Sequence, residues 1–240
     1  MIQTLAVANY RSLRRLVIPL RKLNLITGAN GSGKSNVYRA LRLLAETAQG
    51  GLITSLAREG GLPSTLWAGP EDFGRAVKRG EHPVEGTVRK ESISLKLGFT
   101  GSEFGYAIDL GLPNPHPPSA FSLDPMIKRE CIWNGPFFRP VSVLVDRRGP
   151  ALRMRNDKGA WTEMPVLLPS FDSMIARFAD PQQAPEMLVL REQIRSWRFY
   201  DHFRTDTEAP ARVPQVGTHT PVLGHDGADL AAALQTIREI

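Results

Sequence analysis

The residues with the clearest chemical meaning form the stretch Gly28-Ala29-Asn30-Gly31-Ser32-Gly33-Lys34-Ser35. This stretch matches the phosphate-binding loop pattern GxxxxGK[ST] without interruption. Glycines let such a loop curl so that its N–H groups point inward, and the following helix adds the positive end of its dipole. In this pattern Lys34 pairs with the β and γ phosphates, and the hydroxyl of Ser35 is a magnesium ligand. The stretch therefore predicts a site for ATP with Mg²⁺.

The segments on either side of the loop must position it. Residues 23–27 are mostly apolar and predict a buried strand, whereas residues 34–49 show helical spacing and end at Gly50 and Gly51. The alternative is a glycine-rich turn that binds nothing, but a complete match between a strand and a helix favours the phosphate site. The helix face predicted to be buried consists of Val37, Ala40, Leu41, Leu44 and Ala48.

The composition limits the class of protein. The chain has 240 residues, of which 42% are hydrophobic, as is ordinary for a globular protein. Its one cysteine, Cys131, excludes an internal disulfide, and the first residues lack the order of a secretory signal. No apolar run approaches the ~18 residues of a membrane span. We expect a cytoplasmic protein without a membrane partner.

The positive charge is unevenly placed. The net charge is +6, and residues 1–50 contain eight Lys or Arg and one acidic residue. A second basic cluster lies on a predicted hairpin, and it is either a solvated face or a track for a nucleic-acid backbone. Its members are Arg139, Arg147, Arg148, Arg153, Arg155 and Lys158, beside Asp146 and Asp157.

The remaining pattern predicts an α/β fold, with a mixed sheet flanking the loop helix and an antiparallel β layer over residues 86–155. Strands are predicted at residues 2–8, 16–20, 93–99, 104–108, 128–133, 141–145 and 152–155. Five prolines make residues 111–125 a surface loop. Helices are predicted at residues 186–197 and from Asp226 or Asp229 onward, and residues 198–203 resemble a strand. The last helix shows no closing signal, so we expect an incomplete chain.

A phosphate loop holds nucleotide, but hydrolysis also needs an acidic residue that binds magnesium at the end of an apolar strand. The best candidate is Asp146, which follows Val143-Leu144-Val145. The residue after it is Arg147 rather than a catalytic Glu, and residues 146–149 equally suit a hairpin turn, so both readings of Asp146 stay open. His202, His219 and His225 lack the spacing of a zinc site.

Several stretches together carry a family resemblance. Asn9-Tyr10-Arg11-Ser12, the two strands before the loop, and residues 27–36 resemble the amino-terminal part of the RecF/SMC/OLD-like ATPases, whose heads are ABC-type. Residues 197–203 and 226–237 resemble the predicted AAA-family ATPases of bacteria within that group. The resemblance implies that residues 1–240 form one nucleotide-binding domain, the amino-terminal portion of such a head.

The resemblance also implies roles for individual residues. Arg11 and Asn36 would contact the nucleotide, and Gln215 would be the glutamine that senses magnesium. In that family the ABC signature, the acidic strand and the switch histidine follow the region where this sequence ends, and none is visible here. Residues 223–227 resemble the signature but lack its serine.

Three functions remain in competition. The first is the ATP-binding part of an ABC-type head that hydrolyses ATP in a head-to-tail dimer, in DNA-related or defence processes; a second head or a partner chain would supply the signature and the Walker-B acid. The second is a P-loop kinase acting on a small molecule. The third is a non-catalytic module in which nucleotide regulates a nucleic-acid or protein contact.

Overall fold

The protein is described here from a computed structural model covering residues 1–69, 79, 93–113, 119–156, 158–178, 182, 184–201 and 203–240. The chain divides into two compact units, Met1–Arg195 and Ser196–Ile240, where the sequence predicted one domain. His202, Asp157 and the first residues of the predicted 86–155 layer lie outside the described residues.

The first unit is built on one eight-stranded sheet in the order β2-β1-β3-β4-β5-β6-β7-β8. Every neighbouring pair is antiparallel. The strands are β1 Thr4–Tyr10, β2 Leu13–Pro19, β3 Leu95–Thr100, β4 Phe104–Gly111, β5 Met126–Asn134, β6 Val143–Arg148, β7 Ala151–Arg155 and β8 Trp161–Leu167. The strands predicted at residues 2–8, 16–20, 93–99, 104–108, 128–133, 141–145 and 152–155 are present with shifted bounds, and the antiparallel layer extends beyond its predicted limits at both edges.

Two details of the predicted strands are corrected. β6 continues through residues 146–148, for which a turn was the alternative prediction, and the chain reverses at Gly149 and Pro150. β8 was not predicted, because Pro165 interrupts its pattern. A proline lacks the N–H that a central strand needs, but β8 is an edge strand, where this loss is tolerated.

The helices of the first unit are α1 Lys34–Ala48, α2 Leu52–Arg58, α3 Leu62–Thr65, α4 Met174–Arg177 and α5 Pro185–Arg195. The central helix is α1, which contacts β1, β3, α2, α4 and α5. Its buried face includes Val37, Ala40 and Leu44 as predicted, with Leu43 rather than Leu41 in the core. The inner face of the sheet supplies the rest of this core, with Leu5, Val7, Leu97, Phe99 and Ile108 among its buried side chains.

A charged network is buried in the same inner layer. The Glu130 and Arg147 side chains are fully buried and form an ion pair of 2.8 Å. Tyr106 Oη and Ser173 Oγ each donate to Glu130 Oε1 at 2.6 Å, and the Met174 N–H donates to Oε2 at 2.8 Å. Burial and the nearby Glu130 carboxylate raise the pKa of Tyr106 well above its usual value. Arg147 is therefore part of the core rather than of a basic surface.

Two predictions about the surroundings of the loop are wrong for the described residues. Residues 23–27 form no strand, and Leu23 and Leu25 are 89% and 87% exposed. No described strand pairs with this segment. All described strand pairs are antiparallel, so the described sheet is not the mixed sheet that was predicted.

The second unit contains one α-helix among its described residues, α6 Leu230–Glu239, and a short 3-10 turn at Pro210–Arg212. Asp229 precedes α6 as predicted, but its carboxylate accepts from the Gly224 N–H at 2.9 Å instead of capping the helix. Thr236 Oγ1 accepts from the Thr220 N–H at 2.9 Å. The predicted strand at residues 198–203 is absent from the residues described there.

Candidate nucleotide-binding site

The loop at residues 28–35 has a backbone that requires glycine. Gly31 and Gly33 have φ values of 80° and 95°, in the region that disfavours other residues. A Cβ on Gly33 would also lie 2.6 Å from Ser12 Oγ. The chain therefore passes tightly from the loop into α1.

The loop contains the Lys34 ammonium group, the Ser35 hydroxyl and the first N–H groups of α1. Lys34 Nζ donates to the carbonyl oxygens of Gly28 and Ala29, at 2.6 and 2.7 Å. Ser35 is exposed at the beginning of α1. Within the described residues no carbonyl accepts from the N–H groups of Gly33, Lys34 or Ser35. Free N–H groups at a helix start, together with an ammonium group, are the donor set that phosphate oxygens bind.

The turn between β1 and β2 supports the loop from the side. Asn36 Nδ2 donates to Ser12 Oγ at 2.8 Å, so this side chain is directed toward the β1–β2 turn, and its contact with nucleotide stays a prediction. Asn9 and Arg11 have backbone φ values of 62° and 49°, which residues other than glycine rarely adopt. The Asn9 side chain donates to the Ser94 carbonyl at 2.9 Å, which helps to hold this conformation.

Arg11 has a protein partner. Its Nε and Nη2 donate to Glu59 Oε2 at 3.0 and 2.7 Å, and Tyr10 Oη donates to the same carboxylate. Burial and Glu59 raise the pKa of Tyr10 above its ordinary value. The resemblance assigned Arg11 to the nucleotide, whereas here its guanidinium ties the β1–β2 turn to the residue that follows α2. Nothing in the sequence pattern identified Glu59.

Asp146 lies away from this site. Its side chain shares a sheet face with those of Cys131 and Arg153, its cross-strand partners. The described arginines Arg129, Arg148 and Arg153 bind its carboxylate at 2.8, 3.1 and 2.6 Å. Burial alone would raise the pKa of Asp146, but hydrogen bonds from Arg153 and Arg129 outweigh it and lower this pKa. A carboxylate held by three arginines, on the face opposite α1, is not a magnesium ligand of the loop.

The other predicted ligand is Gln215, which is exposed in the second unit, and its role stays a prediction. In the described part of the chain, no group of three His, Cys, Asp or Glu side chains is placed to hold a metal ion. Within the first unit, Ser35 is the predicted magnesium ligand that lies in the loop. None of the helices that the structure describes has the length and apolar character required to span a membrane.

Residues 1–94 match the family model of the AAA ATPase domain. The chain is also similar to the DNA replication and repair protein RecF of Idiomarina loihiensis, with 32% identity over 81 residues. This alignment covers 32% of the chain and 23% of the RecF protein.

The amino-terminal part resembles a RecF-like AAA ATPase. The predicted family resemblance is thereby confirmed for this part of the chain, which contains the loop, α1 and the β1–β2 turn. The match includes the loop at residues 28–35, so residues 1–94 resemble a P-loop ATPase domain. The chain spans about a quarter of the length of its RecF relative.

Proposed function

We propose that this chain is the ATP-binding part of a RecF/SMC-like ATPase with an ABC-type head. The observation that carries the proposal is the loop at residues 28–35, where Lys34 reaches across the turn and the first N–H groups of α1 lack carbonyl partners in the described structure. These groups would hold the phosphates, and the Ser35 hydroxyl would bind Mg²⁺. The bound magnesium would neutralise charge on the phosphate oxygens.

The intact ATPase requires further residues, which we propose come from a second head or a partner chain. The loop lies beside an uncovered apolar segment, since Leu23, Leu25 and Ile26 are 89%, 87% and 47% exposed. Neighbouring exposed apolar side chains are typical of a surface that another element covers. Head-to-tail pairing would bring the missing signature and acidic residue to the phosphates.

ATP binding tests this proposal directly. We expect Lys34→Ala to weaken binding of Mg-ATP in a calorimetric titration by about tenfold or more, because the β and γ phosphates lose their fixed cation. Lys22→Ala is the matched control, since Lys22 is an exposed lysine outside the loop. Equal affinity of wild type and Lys34→Ala would refute the proposed site.

A second function, contact with nucleic acid, is favoured by the outer face of the sheet. Arg148 and Arg153 are 64% and 39% exposed, and the Arg153 and Arg155 guanidinium groups lie 4.5 and 4.7 Å from the centre of the Trp161 ring. Exposed arginines beside an aromatic ring suit a phosphate backbone and unstacked bases.

This second function predicts salt-dependent DNA binding. We expect Arg148→Glu to weaken binding of single-stranded DNA in a fluorescence anisotropy titration and to flatten its dependence on salt, because one phosphate contact is lost. Arg58→Glu, on the exposed surface of α2, is the charge-matched control. An identical salt slope for Arg148→Glu and Arg58→Glu would exclude this face.

A further inference from the structure

The sheet face opposite α1 contains a cavity of about 720 Å³, here called the outer trough. This volume lies within the range of small-molecule sites. Four residues without large side chains, Ala6, Ala8, Gly98 and Ala107, form its floor across β1, β3 and β4. Trp133, Phe137 and Phe138 stand at one side, with Phe138 edge-on to Trp133 at a centroid distance of 5.3 Å.

The strand register arranges this lining in three rows across the sheet. The first row contains the lining residues Thr100 and Trp133, with Gly105 of β4 between them in the register. The middle row is apolar, with Ala6, Gly98, Ala107 and Cys131. The third row is charged, with Arg15, Lys96, Asp109 and Arg129. Four residues of a strand separate the outer rows, which is about 13 Å.

The first row holds polar groups that lack partners. Thr100 and Trp133 are 7% and 5% exposed, and within the described residues neither Thr100 Oγ1 nor Trp133 Nε1 has a hydrogen-bond partner. The indole lies over Gly105, because a Cβ there would be 2.6 Å from Trp133 Nε1. Buried polar groups are normally paired, so this row is suited to a polar atom of a ligand.

The third row has an excess of positive charge. Asp109 pairs with Lys96 at 3.6 Å, and its Oδ1 is buried without a hydrogen-bond partner in the described structure. Arg129 is 42% exposed and shares Asp146 with two further arginines. With Arg15 exposed at the β2 side, cations outnumber acids at this end of the trough. An anionic group is the complement of this arrangement.

We propose that the outer trough binds an amphiphilic anion, a molecule with a flat or chain-like apolar body and a carboxylate, sulfonate or phosphate at one end. The apolar body lies over the middle row, where small side chains leave room for it. The anion meets Lys96 and Arg129, and a polar atom at the other end meets Trp133 and Thr100. Because α1 packs on the other face of the sheet, this site is separate from the phosphate loop.

The probe for this site is 1-anilinonaphthalene-8-sulfonate, an apolar ring system with one sulfonate, with dodecanoate as competitor. We expect saturable binding by fluorescence titration and displacement by dodecanoate. Ala107→Leu fills the floor and should weaken binding about tenfold, the equivalent of one lost contact of moderate strength. Ala57→Leu, at an exposed position of α2, is the size-matched control and should bind the probe as the wild type does.

A charge pair of variants tests the third row. Lys96→Glu should weaken binding, more at low than at high salt, whereas Arg58→Glu should not. Equal affinity for Ala107→Leu and Ala57→Leu, or for Lys96→Glu and Arg58→Glu, would overturn the proposal. Such a result would place the probe elsewhere, for example on exposed Leu23 and Leu25.

A measurement on the wild-type chain covers the case in which a variant does not fold. Cys131 lies in the middle row, 6% exposed, beneath the proposed position of the apolar body. Saturating probe should slow alkylation of this thiol by iodoacetamide, followed by mass spectrometry. An unchanged alkylation rate at saturation would also overturn the proposal.

Discussion

At the scale of single residues, the same residue type has different roles in different surroundings. Arg147 and Arg148 are neighbours on β6, yet the Arg147 side chain is fully buried with Glu130 and that of Arg148 is 64% exposed beside Asp146. Successive side chains of a strand point to opposite faces, which explains the difference. The basic cluster seen in the sequence is therefore divided between the two faces of the sheet, with Arg147 in the buried core and Arg148 on the exposed face.

Asp146 gives a prediction about acid stability. Its pKa is lowered in the folded chain, so its contribution to stability is present above the unfolded pKa, near 3.9, and is lost as pH falls through the folded pKa. We expect Asp146→Asn to cost about 1 to 2 kcal/mol in the free energy of unfolding at pH 7, because three arginines lose their shared anion. The measurement is urea unfolding between pH 2 and pH 7.

Asp206→Asn is the control for this experiment, since Asp206 is also paired with an arginine but is exposed. Its unfolding curves should follow those of the wild type at neutral pH. If Asp146→Asn kept the full acid dependence of the wild type, the ion cluster would not be what stabilises this face.

At the scale of elements, the Glu130–Arg147 pair fastens α4 to the sheet. Glu130 on β5 accepts from the Met174 N–H at the start of α4, and the Arg147 guanidinium donates to the carbonyl oxygens of Pro169 and Asp172 in the segment before it. Each hydrogen bond joins the sheet to a segment that the hydrophobic pattern alone would not position.

Replacing only one residue of the Glu130–Arg147 pair should lower the free energy of unfolding more than replacing both residues does. Glu130→Leu leaves the buried Arg147 guanidinium without its carboxylate partner, and we expect a loss of about 3 to 5 kcal/mol in the free energy of unfolding. The double variant Glu130→Leu with Arg147→Met should recover a large part of this loss. Denaturant unfolding of the wild type, both single variants and the double variant gives the coupling energy, and additive single effects would contradict the pairing.

The predictable part of the fold and the less predictable part have different physical origins. β3 and β4 are predictable because apolar residues alternate along their sequences, which is a local property. The loop was recognised because its motif is contiguous. By contrast, residues 23–27 looked like a buried strand although burial depends on neighbours that the described chain does not provide. The Arg11–Glu59 pair joins residues 48 apart in sequence, beyond the reach of any local pattern.

At the scale of the whole molecule, binding and turnover are separable. The loop at residues 28–35 carries the groups that hold phosphates, while the one acidic candidate, Asp146, is held by arginines on the opposite face of the sheet. Holding phosphates positions them, but the rate also depends on an oriented water and on charge stabilisation at the transferring group.

We therefore expect this chain alone to release little or no phosphate from ATP. A steady-state phosphate-release assay should give the same low rate for the wild type and for Lys34→Ala. Addition of a chain or segment that supplies the signature and the acidic residue should raise the rate for the wild type only. Release by the isolated chain well above the Lys34→Ala background would mean that a catalytic acid lies among the 240 residues.

Pro165, which interrupts the strand pattern of β8, also makes it harder for a further strand to pair with this edge of the sheet. An edge strand with a full row of free N–H groups invites a strand from another copy, and repetition of that contact leads to aggregation. Pro165 removes one donor from this row, and the neighbouring Glu163 places a charge beside it. Pro19 ends β2 at the opposite edge. The two prolines and the charge therefore oppose edge-to-edge pairing at both margins of the described sheet, which favours contacts between copies through side chains rather than through a shared sheet.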